Sequence, residues 1–110
     1  MKLPKGEQAI IDPRKIVDYC LSAIHDDGQH KARLFASILG MTIDDADQLL
    51  DALRNAAASG DAALGKLDQY GQRYSIDFEI AGPIGQATIR SAWIIGHAKA
   101  VPRLVTCYIL

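Results

Sequence analysis

The hydrophobic period of this chain changes near residue 61, and that change limits the folds it can adopt. Before this point, apolar residues recur at the three- and four-residue spacing of amphipathic helices. Beyond it, they alternate with polar residues, which is typical of strands with one buried face. Helices followed by consecutive strands, without β-α-β alternation, predict an α+β fold. We therefore expect about three N-terminal helices packed on one face of an antiparallel, roughly four-stranded C-terminal meander sheet.

The chain has 110 residues, of which 49% are hydrophobic and 23% charged. This size and composition predict a single domain over residues 1–110, mainly helical over 1–61 and mainly sheet over 62–110. The net charge of −1 argues against a chain-wide electrostatic grip on nucleic acid or membrane, but not against a local basic patch. We see no signal peptide and no apolar run long enough to cross a membrane, so we expect a cytoplasmic protein without a membrane partner.

Capping signals divide the helical part into three segments. Asp12 followed by Pro13 is a helix start, with Asp as N-cap and Pro at the first helical position. The second helix opens near Gln29, after a break at residues 25–28, and Gly40 ends it. Residues 42–45 form a capping box that opens the third helix, which residues 59–61 close. The side chains expected to face the core are Ile16, Val17, Cys20, Leu21, Ile24, Ala32, Leu34, Phe35, Ile38, Leu39, Ile43, Ala46, Leu49, Leu50, Leu53, Ala56 and Ala57.

Four segments are predicted as strands, at residues 62–67, 72–80, 86–95 and 103–110, and residues 9–11 form a short strand or packing arm. One face of the two middle strands is expected to carry Tyr74, Ile76, Phe78, Ile80, Ile89, Ser91, Trp93 and Ile95. In the last strand, strict alternation places Leu104, Thr106, Tyr108 and Leu110 on one face. Trp93 is expected in the core, with base stacking as the alternative.

A basic stretch marks the start of the second helix, where residues 28–33 read Gly-Gln-His-Lys-Ala-Arg. Free backbone N–H groups and the helix dipole favour anions at such a position. His30 and Arg33 are three residues apart, so they share a face and can contact a phosphate. Histidine is a common general acid or base, so His30 also suits general acid–base catalysis. The alternative interpretation is an exposed histidine beside two solubilising charges, Lys31 and Arg33.

The predicted strands add three arginines and two hydroxyls. Arg73, Arg90 and Arg103 form a phosphate site if they align on one sheet face, whereas otherwise each pairs with a carboxylate such as Asp77 or Glu79. Thr106 and Tyr108 place hydroxyls on an otherwise apolar row, which predicts a nearby polar pocket. The alternative is that both are ordinary strand residues.

The cysteines and histidines point to no metal or cofactor. Cys20 and Cys107 are expected to be buried free thiols, since they form no Cys-x-x-Cys pair and no histidine is close enough in sequence to suggest a zinc site. The sequence also lacks a Walker loop, a Gly-x-Gly-x-x-Gly loop, a nucleophile elbow and a His-Glu-x-x-His motif. We therefore predict that the protein uses no cofactor and no metal.

Five segments spread over nearly the whole chain carry a family resemblance. They are the opening Met-Lys-Leu-Pro-x-Gly-Glu-x-Ala-Ile-Ile-Asp, residues 28–33, Tyr-Gly-Gln-Arg-Tyr at 70–74, Arg-Ser-Ala-Trp-Ile-Ile at 90–95 and Pro-Arg-Leu-Val-Thr-Cys-Tyr at 102–108. With these segments the chain resembles a small bacterial family of unknown function.

His30 on a helix and Thr106-Cys107-Tyr108 on the last strand also resemble, more loosely, the barnase/EndoU/colicin-D/RelE-like ribonuclease fold. Domains of that group set N-terminal helices before an antiparallel four-stranded sheet. Many act as bacterial toxins on RNA. EndoU-type members use two histidines, and only His30 stands in a matching context here.

Two functions are the main alternatives at this point, beside small-ligand binding or another class of enzyme. The first is a non-catalytic interaction module, or an inactive relative of a toxin-type nuclease, which binds a small partner protein or a second copy through the edge of its C-terminal strand.

The second is a metal-independent ribonuclease with RNA as its partner. His30 is then the general acid or base, Thr106 or Tyr108 positions the phosphate or donates a proton, and the phosphate-binding cations are Lys31, Arg33, Arg73, Arg90 and Arg103. The enzyme requires His30 and at least two of the strand residues to converge on one concave site.

Overall fold

The computed structural model describes residues 1–21 and 29–110. The predicted break at residues 25–28 and the predicted core residue Ile24 lie outside these ranges. The helices are α1 (Pro13–Lys15), continued by a π-helical segment Ile16–Cys20; α2 (Gln29–Leu34), continued by a π-helical segment Phe35–Leu39; and α3 (Ala46–Ser59), preceded by a 3-10 turn Ile43–Asp45. A further 3-10 turn covers Gly6–Gln8. The strands are β1 (Ala62–Asp68), β2 (Gly71–Ala81), β3 (Gln86–Ile95) and β4 (Arg103–Ile109).

The four strands form one antiparallel sheet in the order β1-β2-β3-β4, and the helices precede it in the chain. Helices and sheet share one hydrophobic core, which holds Trp93 of β3 together with Phe35 and Leu53 of the helical part. The predicted α+β fold with an antiparallel meander is therefore confirmed.

The predicted capping residues occupy the positions expected of them. The Asp12 carboxylate accepts a hydrogen bond from the Arg14 backbone N–H at 3.0 Å and opens α1. Thr42 and Asp45 form the reciprocal capping box ahead of α3. Gly40 ends the second helical segment with a φ of 71°, a left-handed conformation that glycine adopts without a steric penalty. These local signals position the helices before any packing is considered.

Most predicted core positions on the helices are buried, Val17 and Leu50 are half-buried against the core, and three are exposed. Leu34, Ile38 and Ile43 are 40–46% exposed. In the second helical segment, the buried stripe consists of Ala32, Phe35 and Leu39, and Leu34 and Ile38 fall beside it. Ile43 lies in the 3-10 turn that precedes the first buried residue of α3. The prediction was wrong at these three positions because it assigned to the core a wider stripe of helical residues than the sheet covers.

The two middle strands follow the predicted alternation. Tyr74 of β2 faces Trp93 of β3, and Ile76 faces Ser91, so these residues share the core face. Trp93 is fully buried, and its indole Nε1–H donates to Ser91 Oγ at 2.8 Å. The Ser91 hydroxyl in turn donates to the Ile76 carbonyl at 2.8 Å. This chain of hydrogen bonds satisfies the polar atoms of the largest side chain in the core, and the core interpretation of Trp93 is correct.

The last strand departs from strict alternation because it carries one extra residue, Val105. Trp93 faces Leu104, whereas the preceding Ala92 faces Thr106. A bulge of this kind exchanges the faces on its two sides, since side chains alternate with a period of two. Leu104 is therefore buried on the core face, and Thr106 and Tyr108 alternate with buried Cys107 and Ile109. The prediction that Leu104 shares a face with Thr106 and Tyr108 was wrong for this reason.

Residues 9–11, predicted as a short strand or packing arm, pack beside the start of β4. The Ile10 N–H donates to the Pro102 carbonyl at 2.9 Å, and the Ile10 carbonyl accepts from the Leu104 N–H at 3.0 Å. Leu3 and Ile11 are buried in the core. The start of β4 is thus flanked by the chain's own N-terminus. Across both described ranges, no helix is long and apolar enough to cross a bilayer.

Replacing Ser91 with Ala is expected to destabilise the fold by about 1–3 kcal/mol, because it leaves the buried Trp93 N–H without its acceptor. The free energy of unfolding, measured by urea titration, tests this. Ser75→Ala is the matched control, since Ser75 is only partly buried, and we expect a change below about 0.5 kcal/mol there. Equal urea midpoints for the two variants would contradict the structural role of Ser91.

Candidate functional site

Side chains from the helical part meet β4 at the edge of the sheet. Lys31 of α2 extends its ammonium to the Thr106 hydroxyl, with 3.0 Å between Nζ and Oγ1. The same Nζ lies 5.4 Å from the centre of the Tyr108 ring, within the range of a cation–π interaction. β4 is the last strand in the sheet order, so α2 can reach these two side chains past its edge. Lys31, Thr106 and Tyr108 therefore form one polar cluster on a partly buried surface.

Two free cysteines lie directly beside this cluster. The Cys107 thiol donates a hydrogen bond to Cys20 Sγ at 3.7 Å, and both residues are fully buried. Cys20 Sγ also lies 3.9 Å from Thr106 Oγ1. A polar connection therefore runs from the Lys31 ammonium through the Thr106 hydroxyl to the two sulfurs. The prediction of buried free thiols is confirmed.

The surroundings of the two thiols push their pKa values apart. The hydrogen bond from Cys107 lowers the pKa of Cys20 despite its burial, and the Thr106 hydroxyl and the Lys31 charge act in the same direction. The hydrogen bond to Cys20 and burial both raise the pKa of Cys107. The surroundings therefore favour ionisation of Cys20 over ionisation of Cys107.

The three strand arginines do not form one cluster. Arg73 of β2 and Arg103 of β4 pair with Ile94 of β3 from its two sides. Arg90 lies on β3 itself, four residues away from Ile94. Arg90 makes two hydrogen bonds of 2.8 Å to the Asp77 carboxylate, which lower the pKa of Asp77 and raise that of Arg90. The pairing of Arg90 with Asp77 is the alternative that the sequence offered.

Arg73 is bound to a carboxylate at the neighbouring turn, and Arg103 lies at a separate cavity. Arg73 Nε donates to Asp68 at 3.3 Å, and the pKa of Asp68 is lowered first by the Tyr70 backbone N–H and then by Arg73. Arg103 lines a cavity of about 290 Å³ beside Ile10 and Lys99. Of the three arginines, Arg90 is the one close to the polar cluster, because it faces Tyr108 across the strand pair.

The basic residues of α2 do not all lie at the polar cluster. His30 is exposed on α2, next in sequence to Lys31. Arg33 lines a cavity of about 570 Å³ between α2 and the turn that opens α3, together with Met41 and Asp44. This cavity borders neither His30 nor Thr106 nor Tyr108. The structure thus brings Lys31, Thr106, Tyr108 and Arg90 together and places Arg33, Arg73 and Arg103 elsewhere. Within residues 1–21 and 29–110, no three His, Cys, Asp or Glu side chains are grouped to hold a metal ion.

An exposed apolar strip lies at the other edge of the sheet. Leu64 and Leu67 of β1 are each 65% exposed. Leu64 faces Tyr74 and Leu67 faces Gln72, so one extra residue at Gly65–Lys66 turns both leucines to the same face although they are three apart. Tyr70, in the turn after β1, is similarly exposed. We call Leu64, Leu67 and Tyr70 the β1 strip.

Sequence reasoning identified the members of the polar cluster but missed the cysteines and the β1 strip as sites. Cys20 and Cys107 are 87 residues apart, and no local pattern signals that they touch. For β1, the glycine at position 65 was the available signal, since a glycine inside a strand often marks a bulge.

Comparisons with known proteins identify a family and a fold. Residues 2–110 match a family described as "Domain of unknown function (DUF6883)", which confirms the expected resemblance to a family of unknown function. No curated protein matches the chain. A solved chain from the "Contact-dependent growth inhibition toxin - immunity protein complex from Klebsiella pneumoniae 342" is similar, with a TM-score of 0.71 and 18% identity over 92% of this chain and 99% of that one. At this level of identity, the likeness shows a shared fold.

Replacing Thr106 with Val is expected to raise the pKa of Cys20, because the variant removes a hydroxyl that stabilises the thiolate. The ultraviolet absorbance of the thiolate, followed as a function of pH, reports this titration. Thr88→Val serves as the control, since Thr88 of β3 bonds to Glu79 and not to a cysteine. An unchanged first ionisation step in Thr106→Val would contradict the role assigned to the hydroxyl.

Proposed function

We propose that this chain, which belongs to the DUF6883 family, is a non-catalytic interaction module that binds a small partner protein through the β1 strip. The observation that carries this proposal is the exposure of two leucines on one face of an outer strand. The fold shared with a chain from a toxin–immunity protein complex supports a protein partner. Free thiols at Cys20 and Cys107 suit a reducing compartment, so we propose the cytoplasm as its location.

The β1 strip has the chemistry of a small docking surface. Complete burial of a leucine side chain contributes about 1.5–3 kcal/mol, and both leucines retain about two thirds of their exposure. Covering the strip therefore contributes on the order of 2–4 kcal/mol, which corresponds to a factor of tens to hundreds in affinity. Lys66 between the two leucines and Asp68 after them supply a charged rim.

Side-chain packing rather than strand addition is the mode of binding that fits β1. The bulge at Gly65–Lys66 interrupts the regular row of backbone groups, and the Gly65 carbonyl already accepts from the Gln72 side-chain amide at 2.9 Å. The first residue of β1, Ala62, donates its N–H to the Met1 carbonyl. The C-terminal strand, whose edge the sequence suggested, is flanked at its start by Ile10. The partner is therefore expected to cover the leucines themselves.

The double variant Leu64→Asp/Leu67→Asp is expected to weaken partner binding by at least about tenfold, because it places two charges in the docking surface. The probes are the protein products of the two neighbouring genes, each titrated calorimetrically against the purified chain. Leu110→Asp is the matched control, since Leu110 is a similarly exposed leucine beyond the opposite edge strand. Equal affinity for the double variant and the control would contradict the assignment of the β1 strip.

A second candidate function is a metal-independent ribonuclease, favoured by the cluster of Lys31, Thr106 and Tyr108. A lysine ammonium beside two hydroxyls suits a phosphodiester, and Arg90 lies opposite Tyr108. In this proposal, His30 takes the proton of a ribose 2′-OH or protonates the leaving oxygen, and Thr106 or Tyr108 positions the phosphate. The carboxylate partners of Arg73 and Arg90 and the net charge of −1 weigh against strong RNA binding, so we rank this function second.

RNA incubated with the purified protein and a metal chelator tests the ribonuclease proposal. We expect His30→Ala and Lys31→Ala each to reduce cleavage at least about a hundredfold, in the range of a lost general acid or base or a lost charge contact. His97→Ala is the matched histidine control, because His97 lies in the loop between β3 and β4 and its side chain hydrogen-bonds to the Asp68 carbonyl at the end of β1. Equal cleavage in all variants, or no cleavage of several RNAs, would overturn this second function.

A further inference from the structure

We propose that Cys20 and Cys107 are a site of reversible oxidation, at which hydrogen peroxide converts the two thiols into an intramolecular disulfide. The bond joins the helical segment Ile16–Cys20 to β4. The site is distinct from the β1 strip, and the proposal holds whether or not the chain binds a partner there.

The geometry of the two sulfurs carries the proposal. They lie 3.7 Å apart, in direct contact, although 87 residues separate them in the chain. A disulfide bond is about 2.05 Å long, so the sulfurs need to approach by roughly 1.7 Å. Each sulfur therefore has the other as its nearest thiol. Both residues are fully buried, so a second copy of the chain cannot reach them in the folded state. Intramolecular bond formation is therefore favoured over dimer formation.

The neighbours of the pair assign a different role to each cysteine. Cys20 Sγ accepts a hydrogen bond from the Cys107 thiol and lies beside the Thr106 hydroxyl, which in turn bonds to the Lys31 ammonium. These groups stabilise negative charge on Cys20, and a thiolate is the form of cysteine that reacts with peroxide. Cys107 keeps its proton and is placed to attack Cys20 in the next step. The arrangement thus contains an attacking and a resolving cysteine.

The reaction balances in two steps. The Cys20 thiolate attacks one peroxide oxygen, so that an S–O bond forms, the O–O bond breaks and the departing hydroxide takes a proton to become water. The Cys107 sulfur then attacks Cys20 Sγ, an S–S bond forms, the S–O bond breaks, and the Cys107 proton leaves with the hydroxide as a second water. The two sulfurs together lose two electrons, and hydrogen peroxide is reduced to two waters.

Because both sulfurs are buried, a small oxidant is expected to reach them faster than a large one, and the first experiment compares two such oxidants. Hydrogen peroxide is nearly as small as water, whereas glutathione disulfide is a peptide-sized molecule that a fully buried sulfur excludes. The native protein is treated with each oxidant, alkylated and digested with trypsin. Cleavage after Lys and Arg releases Cys20 in peptide 16–31 and Cys107 in peptide 104–110. We expect peroxide to give these two peptides linked by a disulfide, reversible by dithiothreitol, and glutathione disulfide to react at least about tenfold more slowly, as burial of the attacking thiol requires.

Two variants distinguish the proposed mechanism from oxidation of an unfolded fraction. Thr106→Val keeps both cysteines and is expected to form the linked peptides several-fold more slowly, because the thiolate loses its hydroxyl neighbour. Thr88→Val is the control and is expected to react at the rate of the native protein. Peroxide that produces sulfinic acid on Cys20 without the linked peptides, or disulfide-linked dimers in place of them, would overturn the proposal. Equal rates for the two oxidants would do so as well, since they would show that the reactive thiols are not in the buried site.

Discussion

One extra residue in each outer strand decides which side chains this sheet presents. In β4, the bulge at Val105 places Leu104 in the core and leaves Thr106 and Tyr108 next to the helical layer. In β1, the bulge at Gly65–Lys66 turns Leu64 and Leu67 to one face. Because side chains alternate with a period of two, a single inserted residue changes the face of everything beyond it. Both candidate sites of the protein depend on these two insertions.

The middle strands supply the fixed frame against which the outer strands bend. β2 and β3 pair without interruption over ten residues, and the buried Trp93–Ser91–Ile76 hydrogen bonds tie them together beneath the helices. A fully satisfied polar group in a packed core permits one arrangement of the surrounding side chains. The outer strands lack a neighbour on one side, so a bulge there disturbs fewer ladder bonds. Both candidate sites, the polar cluster beside β4 and the β1 strip, therefore lie at the edges of the sheet.

The polar cluster lies at the partly buried surface beside β4, and the thiol pair lies directly beneath it in the core. The Lys31 ammonium contacts the partly buried Thr106 hydroxyl, and Thr106 contacts Cys20, which lies in the core. A cation at the rim thus influences a thiol in the interior through one intervening hydroxyl. In the ribonuclease proposal, Lys31 and Thr106 bind a phosphate at the surface, and in the oxidation proposal the same two residues stabilise the Cys20 thiolate below it.

Local patterns in the sequence determined the order of helices and strands, the caps at Asp12 and Thr42, and the alternation of β2 and β3, because each of these depends on neighbours within a few residues. They did not determine the width of the buried helical stripe, so Leu34 and Ile38 were misplaced. Only the tertiary structure decided the two bulges, the pairing of Arg73 with Asp68 and the contact between Cys20 and Cys107. The contact between Cys20 and Cys107 joins residues 87 apart in the chain, and the other features depend on how neighbouring strands pair at the sheet edges. Neither kind of contact leaves a periodic signal in the sequence.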